Sequence, residues 1–70
     1  MKIFINGEKV SLGSESATIS KALHYYLSPE QQKQSFAVAL NSDFIGRADY
    51  SQVSINQGDS IDILFPIQGG

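Results

Sequence analysis

The 70-residue sequence contains no cysteine and a single histidine, His24. Without thiols there is no disulfide staple, no thiolate metal site and no cysteine nucleophile. One imidazole cannot build an imidazole-rich metal centre. Nor can a Ser-His-Asp set be assembled around it, and no glycine-rich phosphate loop is present. These absences predict a chain that is not itself an enzyme, with no catalytic residues of its own and no bound metal. No apolar run approaches the roughly 20 residues of a membrane span. The opening MKIFING lacks the long apolar region and small-residue cleavage site of a secretory leader. A soluble, cytoplasmic protein is the expectation. Charge is also sparse: five Lys and Arg stand against seven Asp and Glu, for a net −2. The charges are scattered, so the basic stripe of a nucleic-acid binder is missing. The mild acidity suits either plain solubility or docking to a basic partner surface.

What is present is an ordinary globular composition, 41% hydrophobic with four phenylalanines and three tyrosines. Length allows one domain, residues 1–70, with a tail from residue 66. A chain this short buries only about 60% of the surface that its unfolded form exposes, so its core must be economical.

Lys2-Ile3-Phe4-Ile5 predicts an opening strand, and Asn6-Gly7 after it is the strongest short hairpin signal. The return strand lies near Lys9-Val10-Ser11-Leu12, with Val10 and Leu12 on one face. Ile19, Ala22, Leu23, Tyr26 and Leu27 recur at helical period, and Ser16 or Thr18 can cap that helix. His24 falls off the stripe and is expected to face solvent. Ser28, Pro29 and Gln31 compose a capping box for a short second turn running through Gln34. Ser35 to Asn41 reads as a strand with Phe36, Val38 and Leu40 on one face, followed by a turn and a short Phe44-Ile45 segment. A polar turn follows Gly46-Arg47, Val53 and Ile55 read as buried, and Gln57-Gly58-Asp59 is a tight turn. The last strand, Ser60 to Phe65, is the most apolar, which places it mid-sheet and parallel to the first.

Two strands are apolar on both sides. If Ile3, Ile5, Ile61 and Ile63 face the helix, then Phe4 and Leu64 face away, and Ala37 and Ala39 share that far side. Scattered surface apolar residues are normal, but a contiguous patch marks a partner-docking face. Phe4, Leu64, Ala37 and Ala39 are the candidate docking residues.

The sequence ends SIDILFPIQGG. By average glycine usage, two given positions are both glycine only about 0.5% of the time. A frayed end or a cloning remnant is one explanation. The chemical alternative is specific: glycine lacks Cβ, so a Gly-Gly end threads a narrow channel and leaves its carbonyl open to attack. A free α-carboxylate is ionised at neutral pH and needs activation, commonly by adenylation, before it can transfer its acyl group. Pro66 cannot continue a central ladder, so Ile67-Gln68-Gly69-Gly70 is expected to project as a flexible arm.

The hairpin–helix–strand order and this ending resemble the ubiquitin-like β-grasp superfamily: an α+β fold with a mixed sheet of four to five strands on one main helix. Within it, Phe36 to Gly70 resembles the ThiS-type sulfur carriers of thiamine biosynthesis. The features that carry the likeness are the apolar strand ending in Asn41, Arg47 followed by aromatic Tyr50, Gly58-Asp59 and FPIQGG. Residues before Phe36 match in pattern only. Tyr50 stands where that family often has tryptophan, and Gly46 where proline is common. The resemblance implies a protein cosubstrate. A ThiF-type activating enzyme, using ATP and Mg²⁺, adenylates Gly70. A sulfur donor enzyme then forms the thiocarboxylate, and a ThiG-type thiazole synthase takes the sulfur. Pro66, Ile67, Gln68 and Gly69 are then the tail that the partners recognise. The absence of cysteine fits, because sulfur can be carried covalently only at the acyl end.

Two relatives of this reading stay open at this stage. One is a molybdopterin-synthase small-subunit-type carrier, whose tail more often resembles two prolines before its last residues. The other is a ubiquitin-like modifier joined through Gly70 to lysines. A third possibility is an interaction module with an inert tail.

Overall fold

A computed structural model of the chain describes residues 1–13 and 16–66. Strands β1 (Lys2–Ile5) and β2 (Glu8–Ser11) form the first hairpin, with Ile3 opposite Val10 and Phe4 opposite Lys9. Asn6 and Gly7 make its turn at φ +52° and +81°. Both positions of such a turn need left-handed backbone, and asparagine and glycine tolerate it best. The hairpin is sealed at its open end, where the Leu12 amide donates to Met1 O at 2.7 Å and the Met1 ammonium donates to Leu12 O at 3.0 Å.

A two-residue strand β3 (Ala17–Thr18) leads into helix α1 (Ile19–Tyr26). Thr18 is the cap, its Oγ1 accepting from the Lys21 amide at 3.2 Å. The helix turns Ile19, Ala22 and Leu23 inward, as their spacing requires. At the helix end the Tyr26 hydroxyl donates to Glu8 Oε2 at 3.1 Å, tying α1 to β2. That hydrogen bond, with smaller contributions from burial and the carboxylate charge, raises the Tyr26 pKa above the ordinary phenol value.

Helix α2 (Pro29–Gln32) starts on the expected capping box: the Gln31 amide donates to Ser28 Oγ and the Ser28 amide to Gln31 Oε1. It is shorter than its sequence suggests. The Lys33 and Gln34 amides donate to Glu30 O and Gln31 O, three residues back, so the turn tightens to 3₁₀ geometry after Gln32.

Strands β4 (Ala37–Leu40) and β5 (Asp43–Ile45) form a second hairpin. Its turn, Asn41-Ser42, is also left-handed at both positions, φ +50° and +76°. A 3₁₀ turn at Arg47–Asp49 follows, then β6 (Ser54–Ile55) and β7 (Ser60–Leu64). Among the described residues five strands form one mixed sheet in the order β2-β1-β7-β4-β5. The last strand therefore lies in the middle, parallel to β1 and antiparallel to β4.

A second, two-stranded ribbon pairs β3 with β6. Sequence reading did not anticipate it, because two-residue strands carry no periodic signal. Its Ala17 and Ile55 are buried and help close the core, while Val53 beside them is half-buried.

Ile3, Ile5, Ile19 and Ile61 are fully buried between sheet and helix. Each contributes about 1.5–3 kcal/mol relative to an exposed side chain. Around the start of β7, Asn41 Nδ2 donates to Asp59 Oδ1 at 3.1 Å, and the Ser60 amide donates to Asn41 Oδ1 at 3.0 Å. The other Asp59 oxygen accepts from the Asn56 amide at 2.7 Å. This network fixes where the central strand begins.

Candidate functional site

The central strand decides where the C-terminal segment departs. β7 is paired with β4 up to its last residue, Leu64 opposite Ala37. Phe65 and Pro66 follow outside the sheet. The expected strand runs to Phe65, one residue beyond the observed end, and Pro66 has no amide with which to resume the ladder. Pro66 is the last residue described at this end. Ile67, Gln68, Gly69 and Gly70, the expected recognition and modification residues, lie outside the described residues.

Phe36 anchors the root of this segment. It precedes β4 instead of belonging to it, and its half-buried ring meets Phe65 edge-on with centroids 5.6 Å apart. On its other side the same ring is stacked with Tyr50, at 6.4 Å and 6° between planes. Beside this aromatic row runs an open apolar groove of about 340 Å³, lined by Ser35, Phe36, Ala37, Leu64, Phe65 and Pro66. The expected strand from Ser35 to Asn41 is thus shorter by three residues, two at its start and one at its end, and Phe36 is used for packing at the arm's root.

Register places the candidate docking residues on one face of the sheet but at different points along it, with Phe4 level with the start of β7 and Leu64 at its end. Phe4 is opposite Ser60 across the parallel pair, Leu64 opposite Ala37, and Asp62 opposite Ala39. Because side chains alternate along each strand, all of these point away from α1. Phe4 and Leu64 are exposed, at 39% and 53%. Ala37 is exposed as well. Ala39 is on the same face but only 5% exposed, a small side chain between its cross-strand neighbours Phe44 and Asp62. Ala39 thus floors the face instead of protruding from it.

One member was missed in the sequence. Phe44 is opposite Ala39 on β5 and is 71% exposed, the most open of the large apolar side chains among the described residues. The two-residue turn at Asn41-Ser42 sets its register, so the signal was available once both strand ends were fixed. Phe4, Phe44 and Leu64 therefore stand at separate points of the sheet face turned away from α1, and Phe65 stands at the arm's root. Polar relief comes from half-buried Asp62 and from Lys9 opposite Phe4.

Among the described residues no group of three or more His, Cys, Asp and Glu side chains is placed to hold a metal ion. His24 is exposed on α1, off the buried stripe as its position predicts. Among the described residues no helix is long and apolar enough to cross a membrane.

The mixed five-stranded sheet, with its last strand in the middle beside the first and one principal helix across one face, defines the ubiquitin-like β-grasp class. The ThiS family model matches residues 2–70, and the chain belongs to the ThiS family. Its fold is similar to the crystal structure of a thiamine biosynthesis protein (ThiS) from Geobacter metallireducens. The TM-score is 0.81 at 22% identity, with all of both chains covered. A solution NMR structure of a thiamine biosynthesis protein from the same organism gives a TM-score of 0.72 at 22% identity, covering 100% of this chain and 88% of that one. No curated protein matches the chain.

Proposed function

We propose that the chain is a sulfur carrier of thiamine biosynthesis, with Gly70 as the point of attachment. The observation that carries this reading is the family match, which runs from residue 2 through Gly70 and so takes in the whole FPIQGG segment. The architecture is consistent with it: the segment is rooted in the central strand, beside an exposed apolar face suited to holding a larger partner.

In this reading a partner activating enzyme supplies ATP, Mg²⁺ and the acid–base groups. One Gly70 carboxylate oxygen attacks the α-phosphorus of ATP, pyrophosphate leaves, and an acyl-adenylate results. Sulfide supplied by a donor enzyme then attacks the Gly70 carbonyl carbon and AMP departs as the leaving group, so the thiocarboxylate forms with no change of oxidation state. A thiazole synthase consumes that sulfur. The carrier contributes the acyl group, its accessibility and the docking face, formed by Phe4, Leu64, Ala37 and Ala39 with Phe44. Pro66 and residues 67–69 form the part read inside the partner's channel. The carrier supplies no catalytic group.

Reconstitution tests this. The full chain, with a ThiF-type enzyme, ATP, Mg²⁺, a sulfur source and a ThiG-type synthase, is expected to support thiazole formation. A chain ending at Gln68 is expected not to. Sulfur delivery to a molybdopterin synthase large subunit in place of the thiazole synthase would reassign the pathway. Gly70 found in isopeptide linkage to lysine would reassign the chemistry.

A further inference from the structure

The first turn does more than reverse the chain. β1 and β7 run parallel through Phe4 opposite Ser60 and Ile5 opposite Ile61. In an uninterrupted parallel ladder the next residue, Asn6, would donate its amide to Ile61 O and accept from the Ile63 amide through its own main-chain carbonyl. The first bond is present, Asn6 N to Ile61 O at 2.8 Å. The second is made by the side chain instead: the Ile63 amide donates to Asn6 Oδ1 at 2.7 Å. Asn6 adopts φ +52° as the chain enters its turn, and its carboxamide takes the place of a ladder carbonyl. β7 is thereby held on its β1 side two residues beyond the last paired position. On the other side β4 holds it to Leu64.

Asn41 does the same at the other end of the strand. It is also the left-handed first residue of a hairpin turn, φ +50°, and its Oδ1 accepts from the Ser60 amide at 3.0 Å. The central strand is thus clasped at Ser60 and at Ile63 by the amides of two turn asparagines. Turn propensity alone accounts for an asparagine at each site, but not for the bonds to β7.

We propose that Asn6 is a positioning residue for the C-terminal arm, fixing Ile63 and so the direction in which the chain leaves through Leu64 and Phe65 towards Pro66. The proposal rests on the sulfur-carrier reading for its functional consequence and on the hydrogen bond alone for its structural one. It acts through the strand and touches no substrate.

Two substitutions separate the turn from the clasp. Asn6→Gly keeps the left-handed backbone and removes the acceptor. Asn6→Asp keeps an acceptor oxygen in the same place. Amide hydrogen exchange is read at Ile63 and, as an internal reference for the β1–β7 pair, at Phe4, whose amide donates to Asp59 O at 2.9 Å. In Asn6→Gly the Ile63 to Phe4 exchange ratio is expected to rise about fivefold, the effect of losing one ordinary hydrogen bond. In Asn6→Asp it should stay near wild type. With an activating enzyme, Asn6→Gly should raise KM for the carrier about three- to tenfold at unchanged kcat, and Asn6→Asp should restore it. An unchanged exchange ratio in Asn6→Gly overturns the clasp. A raised ratio with unchanged KM overturns the positioning role. Should no activating enzyme adenylate even the wild-type chain, the sulfur-carrier reading falls and takes the positioning role with it, while the exchange ratio still reports the bond.

Discussion

The ring of Phe36 stands edge-on to that of Phe65, with centroids 5.6 Å apart, and so joins the segment that precedes the second hairpin to the first residue past the central strand. Phe36 also stacks on Tyr50, so one half-buried side chain holds together three separate segments of the chain. Aromatic pairs of these geometries add about 0.5–1.5 kcal/mol each beyond their buried area. Phe36→Ala is expected to cost about 1–3 kcal/mol, less than a fully buried phenylalanine would. Urea unfolding checks this. A change below about 0.5 kcal/mol would mean that the aromatic row holds nothing.

Leu64 faces away from the core and is more than half exposed. Leu64→Arg is therefore expected to change stability by no more than about 0.5 kcal/mol, the range of ordinary surface substitutions. Binding to the activating enzyme should weaken about tenfold or more, because a charge then enters an apolar contact. Calorimetric titration against that enzyme, beside an unfolding curve, separates the two effects. Loss of cooperative unfolding would place Leu64 in the core, contrary to its position in the sheet.

The bond from the Tyr26 hydroxyl to Glu8 has a pH signature. Its hydrogen bond, then burial, then the Glu8 charge hold the phenol pKa above the ordinary value, which is near 10. A group whose pKa is raised on folding contributes stability that is complete below the unfolded value and lost as pH rises through the folded one. The contribution of Tyr26 should therefore vanish only in strongly alkaline solution, above about pH 10. Denaturation midpoints followed across that range should fall more steeply for wild type than for Tyr26→Phe. Identical slopes would contradict the coupling. Glu8→Ala should bring the Tyr26 tyrosinate transition back towards the ordinary value.

Much of this architecture is readable from particular residues. Asn6-Gly7 announced the hairpin because only left-handed backbone closes so short a turn, and Ile19, Ala22 and Leu23 announced the helix by spacing. The apolar content of Ile61, Ile63 and Leu64 placed the last strand mid-sheet, and alternation then sent Phe4 and Leu64 to the open face. The β3–β6 ribbon was not readable, since Ala17-Thr18 and Ser54-Ile55 are too short for periodicity and pair only because the core brings them together. Phe36 reads as a strand residue by alternation, whereas packing on Tyr50 and Phe65 sets its actual place. The side-chain bonds of Asn6 and Asn41 were hidden for a further reason: turn chemistry already explained both asparagines. For the candidate site, the face was legible through Phe4, Leu64 and the two alanines. Its most exposed member, Phe44, emerged only with the register of β5.

The arm itself makes a narrow demand on Gly70. Gly70→Ala should fold as wild type, since it lies beyond the last strand, yet be a poor substrate because a methyl group crowds the carbonyl and any channel around it. Full activity in that variant would argue against a threaded tail.

The most direct test of the central claim is the intact mass of the protein before and after incubation with a ThiF-type enzyme, ATP, Mg²⁺ and a sulfide source. The sulfur-carrier account predicts a gain equal to one oxygen-for-sulfur exchange, localised by fragmentation to Gly70. An unchanged mass, with an enzyme shown to be active on another carrier, would contradict it.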